Sequence, residues 1–159
     1  ASHAVIALGN SRPLSALDSL DRLFDFFARG SRVRDTILEA LARRANDLNL
    51  DGTRWRERSR AMLLEEARDP AVAERAILLI AAIGDVGAAD LLQRFLRNKD
   101  SLVVITAAET LAGLGARQAL PELRELYNQL PFDPRFAPAP GRDPVALYER
   151  LGAAIKRLP

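Results

Sequence analysis

The sequence contains no cysteine among its 159 residues, which excludes disulfide bonds, thiolate nucleophiles and cysteine-ligated zinc. Its single histidine, His3, lies beside the N-terminus, so a histidine-based triad or zinc site within the domain is excluded as well. No glycine-rich phosphate loop follows a strand, and the carboxylates form no catalytic motif. We therefore expect a protein that is not an enzyme and that has no metal or cofactor.

Long apolar runs and a strong charge of one sign are also missing. No run reaches the roughly 18 to 20 residues that cross a bilayer, so we expect no membrane insertion. The 23 Lys and Arg residues against 21 Asp and Glu give a net charge of +2. This excess is small, and arginine outnumbers lysine 21 to 2, an imbalance that more often reflects a GC-rich genome than a nucleic-acid surface.

The sequence is rich in alanine and leucine, with 48% hydrophobic and only 6% aromatic residues. The apolar residues recur at helical rather than alternating spacing. Alanine and leucine are also among the strongest helix formers. The chain is therefore predicted to be all-α, without strands.

An internal repeat with an offset of 31 residues organises the middle of the chain. The segment Asp69-Pro70-Ala71-Val72 is matched by Asp100-Ser101-Leu102-Val103. Further coinciding pairs are Ala76 and Ala107, Ile80 and Leu111, Gly84 and Gly115, Ala88 and Ala119, and Leu92 and Leu123. Each repeat unit is predicted to contain two helices and two turns.

The turns of this repeat carry signals for helix starts and stops. Asp69 and Asp100 can cap a helix N-terminus by accepting backbone N–H bonds, and Pro70 suits the first helical turn. Gly84 and Gly115 follow the last apolar positions of the same helices, where a left-handed residue is favoured and glycine adopts it without strain.

Extending this pattern outward divides the whole chain into hairpins. The predicted hairpins cover residues 13–48, 53–83, 87–114 and 117–158, with a proline-rich inserted loop at 131–143. Asp51-Gly52 supplies a turn between the first two hairpins. Residues 1–9 end like the later second helices, which indicates either the remnant of a preceding repeat or a short capping helix.

The segment from Leu91 to Leu96, followed by a set of spaced residues, resembles a HEAT repeat of the short, bacterial, lyase-associated type. The set is Asp100, Val103, Ala107, Leu111, Leu114 and Gly115. Val33-Arg34 with Ala40-Leu41-Ala42 resembles the same pattern. The sequence departs from it at Leu102-Val103-Val104, where the usual arginine after valine is missing, and at the inserted loop.

The resemblance implies one domain over residues 1–159, folded as a right-handed α-solenoid of about four HEAT-like helical hairpins. Such hairpins stack because one hairpin cannot bury its apolar face alone, and the second helices usually line a concave binding surface. It further implies a scaffold or adaptor for another protein in a bacterial assembly, in the cytoplasm or the periplasm.

The polar residues of the second helices that lie off the apolar stripe are the first candidates for partner binding. They are Arg34, Glu74, Arg75, Thr106 and Glu109. Ordinary solvated positions would show the same pattern, so both interpretations stay open.

A second candidate surface is the start of the third main helix, where Arg54, Arg56, Arg58 and Arg60 flank Trp55. These residues, with Arg43 and Arg44, could bind phosphates of nucleic acid while Trp55 stacks on a base. The apolar spacing of Trp55, Met62 and Leu63 instead favours a core tryptophan and a solvated arginine face. In the helix before them, Asp25 is expected to pair with Arg29, four residues onward.

The inserted loop adds Phe132 and Phe136, which lie outside the helical stripes. They either dock on the solenoid, which we favour, or contact a partner. The predicted function is thus a non-catalytic protein-interaction module. The alternatives are a nucleic-acid-binding solenoid similar to DNA glycosylases, and a lyase or chaperone subunit.

Overall fold

The structure, a computed structural model, describes residues 14–26, 33–34, 36–41, 52–65, 68–140 and 142–158. Within them it is all-α and contains no strand, apart from one isolated bridge between Ala139 and Arg142. The predicted fold class is confirmed. Of the sequence predictions, those for residues 1–9, Arg29, Arg43, Arg44 and Asp51 lie outside the described residues.

Eight α-helices follow one another along the described part of the chain. They are α1 (Leu14–Phe26), α2 (helical residues 33–34 and 36–41), α3 (Gly52–Glu65), α4 (Pro70–Ile83), α5 (Ala89–Phe95), α6 (Ser101–Gly113), α7 (Leu120–Gln129) and α8 (Pro144–Arg157). Short 3-10 turns occupy Val86–Ala88, Arg117–Ala119, Leu130–Phe132 and Pro134–Phe136. Gly52 is the first residue of α3 rather than part of a preceding turn, which corrects the turn predicted there.

The 31-residue repeat is visible in the backbone. The 3-10 turn Val86–Ala88 before α5 returns 31 residues later as Arg117–Ala119 before α7. Gly84 and Gly115 have φ angles of 70° and 68°, so both take the left-handed conformation predicted for a helix stop.

The helix caps predicted for the repeat are also present. The side chain of Asp100 accepts hydrogen bonds from the backbone N–H groups of Leu102 and Val103, at 2.9 and 3.3 Å. Asp69 accepts one such bond from Ala71, at 2.9 Å. Each cap satisfies N–H groups that the first turn of a helix leaves unpaired.

The chain divides into two compact units, Ala1–Ile83 and Gly84–Pro159. In the first unit, α3 and α4 pack against each other as a hairpin. Trp55 is only 3% exposed and meets the ring of Phe24 edge to face, with 5.3 Å between the ring centroids. The prediction that Trp55 is a core residue is confirmed.

In the second unit, α6 is the central helix. It packs against α5 and α8, and α8 also packs against α7. Ten of its thirteen residues are buried. Because burying one Leu or Ile side chain contributes roughly 1.5–3 kcal/mol, residues such as Ile105 and Leu111 make α6 a substantial contributor to the stability of this unit. None of the described helices is long and apolar enough to cross a membrane.

Candidate functional site

The predicted contact residues of the first unit lie partly within its packing. The guanidinium of Arg34 lies over the ring of Phe24, with its Cζ 4.1 Å from the centroid. Through this cation–π contact, the guanidinium of Arg34 packs within the first unit. Glu74 and Arg75 are half-buried on α4. Arg34 is therefore engaged within the unit, whereas Glu74 and Arg75 remain partly exposed and stay predicted contact residues.

The two predicted contact residues of α6 do not form an open surface either. Thr106 is only 2% exposed because α6 is buried almost all round, so its assignment to a contact surface is wrong. Glu109 is half-buried and accepts two hydrogen bonds from Arg150 of α8, at 2.9 and 2.7 Å. This bidentate ion pair joins α6 to α8.

Two of the arginines at the start of α3 pair with one aspartate of α1. Arg54 and Arg58 both donate to Oδ2 of Asp25, at 3.1 and 2.6 Å. Arg58 also lies over the buried ring of Trp55, with its Cζ 5.0 Å from the centroid. The predicted solvated face is thus wrong for Arg58, and the described partners of Asp25 lie on another helix.

Arg56 is exposed on the same helix, and Arg60 is half-buried. A base could not stack on Trp55 without unpacking the unit, because the ring is buried against Phe24. The observation weakens the nucleic-acid interpretation, which depends on phosphate-binding arginines together with a stacking aromatic residue.

Arg135 connects the inserted loop to the turn between α5 and α6 through hydrogen bonds. The guanidinium donates to the backbone carbonyls of Leu96 and Asn98, at 3.2 and 2.8 Å. Its other nitrogens bind both carboxylate oxygens of Asp133, at 2.6 to 3.0 Å. One arginine therefore ties the loop to a turn 37 residues earlier in the chain.

A second arginine, Arg142, fastens the other end of the loop. It pairs with the carboxylate of Asp100, the residue that caps α6, and reaches the hydroxyl of Ser101 at 3.4 Å. The N–H of Arg142 also donates to the carbonyl of Ala139, at 2.9 Å. Both ends of the loop are thus held against the start of α6.

The two loop phenylalanines have opposite environments. Phe136 is 3% exposed and docks within the unit, as predicted, so it is not available as a contact residue. Phe132 is 88% exposed, which corrects the prediction that it docks. Within the loop, the ring of Phe136 is therefore buried and the ring of Phe132 is exposed to solvent.

Asp133 is the titratable group that the loop environment affects most clearly. The hydrogen bonds from the Arg135 side chain lower the pKa of the Asp133 carboxyl below its ordinary value. The effect has this sign because those bonds stabilise the ionised form. Asp133 also accepts from the backbone N–H of Arg135, at 2.9 Å, and so caps the turn Pro134–Phe136.

A surface groove runs between α5 and α7, and we call it the α5–α7 groove. One end is a depression of about 420 Å³ lined by Asp90, Gln93, Arg94, Arg97 and Glu122. The other end is a depression of about 250 Å³ lined by Leu96, Arg97, Glu122, Glu125, Leu126, Gln129 and Arg135. The two depressions adjoin at Arg97 and Glu122, which line both, and together they make up the α5–α7 groove.

The two walls of the α5–α7 groove differ in charge, with Asp90 as one acidic group on the otherwise basic α5 side. The α5 side supplies Arg94 and Arg97, and the α7 side supplies Glu122 and Glu125. Nε of Arg97 donates across the groove to Oε1 of Glu122 at 3.2 Å. Because the Arg97 side chain is 84% exposed, this ion pair is weak and can exchange with a ligand.

The described residues contain no group of three or more His, Asp or Glu side chains that could hold a metal ion. The groove and the loop offer hydrogen-bonding and charged groups without an activated nucleophile or a buried acid–base pair. Groups of this kind can form hydrogen bonds and ion pairs with a ligand.

Sequence reasoning missed the roles of Asp133, Arg135 and Arg142. One signal was present, because Asp133-Pro134 has the same Asp-Pro pattern as Asp69-Pro70 and Asp143-Pro144, and all three aspartates cap a helical turn. The groove had no such signal, since its walls come from two helices separated by about 30 residues.

Comparison with known proteins gives a match to one family. Residues 60–137 match the family of HEAT repeats. The search of curated proteins and the search of solved structures each gave no match. The bacterial, lyase-associated subtype stays a prediction. The matched residues cover α4 to α7, the 31-residue repeat and the α5–α7 groove, and over this segment the chain is similar to the HEAT-repeat family.

Proposed function

We propose that this chain is a non-catalytic protein-interaction module, a scaffold or adaptor, whose contact surface lies in the second unit. HEAT repeats are generally protein-interaction scaffolds, and the family is typically non-catalytic. The observation that carries the proposal is Phe132, an 88% exposed aromatic ring held on a fastened loop.

An exposed ring of this kind favours a protein partner for two reasons. Aromatic side chains are enriched among the few residues that dominate binding energy at protein interfaces. The hydrogen bonds of Arg135 to the carbonyls of Leu96 and Asn98 hold the loop before any partner binds. A preorganised loop loses less conformational entropy on binding, so more of the contact energy appears as affinity.

This placement differs from the concave surface expected from the sequence. On α6 that surface would depend on Thr106, which is buried, and on Glu109, which already pairs with Arg150. Phe132 and the α5–α7 groove offer exposed groups instead. We therefore place the contact surface there.

The nucleic-acid alternative depends on the α3 arginines, and Asp25 compensates two of them. The lyase or chaperone alternative would need a partner to complete its site, because the groove supplies no catalytic group. Both remain distinguishable from the proposal by experiment.

The test is an affinity capture from lysate of the source organism, at moderate and high salt, with three forms of the protein. These are the unmodified chain, Phe132→Ser, and the double variant Arg56→Glu with Arg60→Glu. We expect a protein that is retained at high salt, is kept by the double variant and is lost with Phe132→Ser. Capture of nucleic acid alone, lost at high salt and with the double variant, would overturn the proposal.

A further inference from the structure

The charge pattern of the α5–α7 groove indicates the chemistry of its occupant. Arg94 and Arg97 lie on one side, and Glu122 and Glu125 lie on the other. A ligand of one charge sign would be attracted to one wall and repelled by the other. The occupant must therefore present acidic groups to α5 and basic groups to α7.

Spacing along each wall restricts the occupant further. Glu122 and Glu125 are three residues apart on α7, and side chains at this helical spacing lie about 5–6 Å apart. In an extended peptide, successive side chains point to opposite sides, and those on one side recur every ~6.7 Å. The two distances are close enough for one peptide side chain to contact each glutamate, while Arg94 at the end of α5 and Arg97 in the turn that follows it face the other side of the peptide.

From this match we propose that the α5–α7 groove binds an extended segment of a partner protein in which acidic and basic residues alternate. The acidic side chains pair with Arg94 and Arg97, and the interleaved basic side chains pair with Glu122 and Glu125. This inference names the partner chemistry of the surface described above, and so it rests on the proposed function.

The ion pair between Arg97 and Glu122 can be exchanged for ion pairs with a bound peptide. Binding breaks the pair between Arg97 and Glu122 and gives each of them a ligand partner, so one ion pair is replaced by two. Gln93 can hydrogen-bond the peptide backbone, whereas Gln129 donates to Oε1 of Glu125 at 3.0 Å and holds that carboxylate in place. Asp90, one turn before Arg94, repels a further acidic side chain and limits the site at that end.

The direct test uses two fluorescently labelled synthetic peptides of identical composition. One alternates glutamate and lysine over eight residues, and the other has four glutamates followed by four lysines. Titration at low ionic strength, followed by fluorescence anisotropy, is expected to show about tenfold tighter binding of the alternating peptide, because several exposed ion pairs each add a small increment. Equal binding of the two peptides would overturn the inference.

Charge reversal of one wall provides the matched variant. Arg94→Glu with Arg97→Glu makes both walls acidic, so the alternating peptide is expected to lose about tenfold in affinity while an oligolysine peptide gains. Arg117→Glu with Arg124→Glu changes the same charge at two exposed residues that do not line the groove, and it should leave the ratio of the two peptides unchanged. An identical response of the two variants would contradict the inference.

The milder pair Arg94→Gln with Arg97→Gln repeats the measurement if the reversal variant does not fold, as judged by circular dichroism. Failure of the inference is distinguishable from failure of the proposed function. If Phe132→Ser abolishes protein capture but the peptides show no preference, the inference is wrong and the proposed function stands. If the alternating peptide binds and the wall reversal abolishes that binding, the inference holds whatever the capture shows.

Discussion

Gly113 and Gly115 lie two residues apart at the end of α6 and differ in backbone conformation. Gly115 has a φ of 68°, a conformation that costs a residue with a Cβ roughly 1–2 kcal/mol. Gly113 is helical, and a Cβ added there would meet nothing within 4 Å. We expect Gly115→Ala to lower the free energy of unfolding by about 1 kcal/mol.

Gly113→Ala is the matched control, and it should raise the free energy of unfolding by about 0.5 kcal/mol, because alanine restricts the unfolded chain more than glycine does. Urea denaturation of both variants measures the difference. Equal effects of the two substitutions would show that the helix stop at Gly115 is not formed.

Asp100 and Asp69 are equivalent in the repeat but differ in the number of their contacts. Asp100 caps two N–H groups and pairs with Arg142, whereas Asp69 caps one N–H group and is exposed. Loss of an N-cap costs about 0.5–2 kcal/mol, so we expect Asp100→Ala near the upper end and Asp69→Ala near the lower end. Thermal and urea unfolding measure both, and a larger effect at Asp69 would contradict the assigned contacts.

The Asp133 carboxyl should titrate below its ordinary pKa of about 3.9. A depressed pKa means that its stabilising effect is complete above the pKa of the unfolded chain and is lost as the pH falls through the lower pKa of the folded protein. The carboxyl 13C shift, followed by NMR against pH, measures the midpoint. Arg135→Ala should return the midpoint toward the ordinary value, and an unchanged midpoint would be inconsistent with the pairing.

At the scale of elements, the inserted loop depends on two arginine contacts rather than on a helix of its own. Arg135→Ala removes the bonds to the carbonyls of Leu96 and Asn98, so residues 131–142 should exchange amide hydrogens faster while α6 stays protected. Hydrogen exchange with mass spectrometry measures this. Arg117→Ala, at an exposed residue outside the loop, is the control, and equal exchange in the two variants would mean that Arg135 does not fasten the loop.

The helices were predictable because their signals are local. The Asp and Pro residues at helix starts, the two left-handed glycines and the 3.6-residue apolar spacing act over a few neighbouring residues. The core assignment of Trp55 followed from the same spacing. These signals specify each hairpin before any tertiary contact is considered.

The candidate site was less predictable because its contacts join distant parts of the sequence. Arg135 reaches a turn 37 residues earlier, and the groove combines residues of α5 and α7. Thr106 was misplaced because the apolar stripe of α6 does not reveal that the helix is surrounded by other elements. Charge and polarity along one helix cannot show which face remains exposed after packing.

For the molecule as a whole, the family assignment and the proposed binding surface rest on different observations. The HEAT-repeat match and the 31-residue period concern the backbone, and they predict protein binding in general. We propose that this binding takes place in the second unit, at Phe132 and the α5–α7 groove. The proposed function therefore predicts that a partner protein contacts the surface at Phe132.

Site-specific photo-crosslinking tests this claim most directly. A benzoylphenylalanine is introduced at position 132 in one sample and at Gln118, an exposed residue on the turn before α7, in another. After irradiation in lysate, we expect a discrete protein adduct from position 132 and none from position 118. The same adducts from both positions, or adducts to nucleic acid alone, would contradict it.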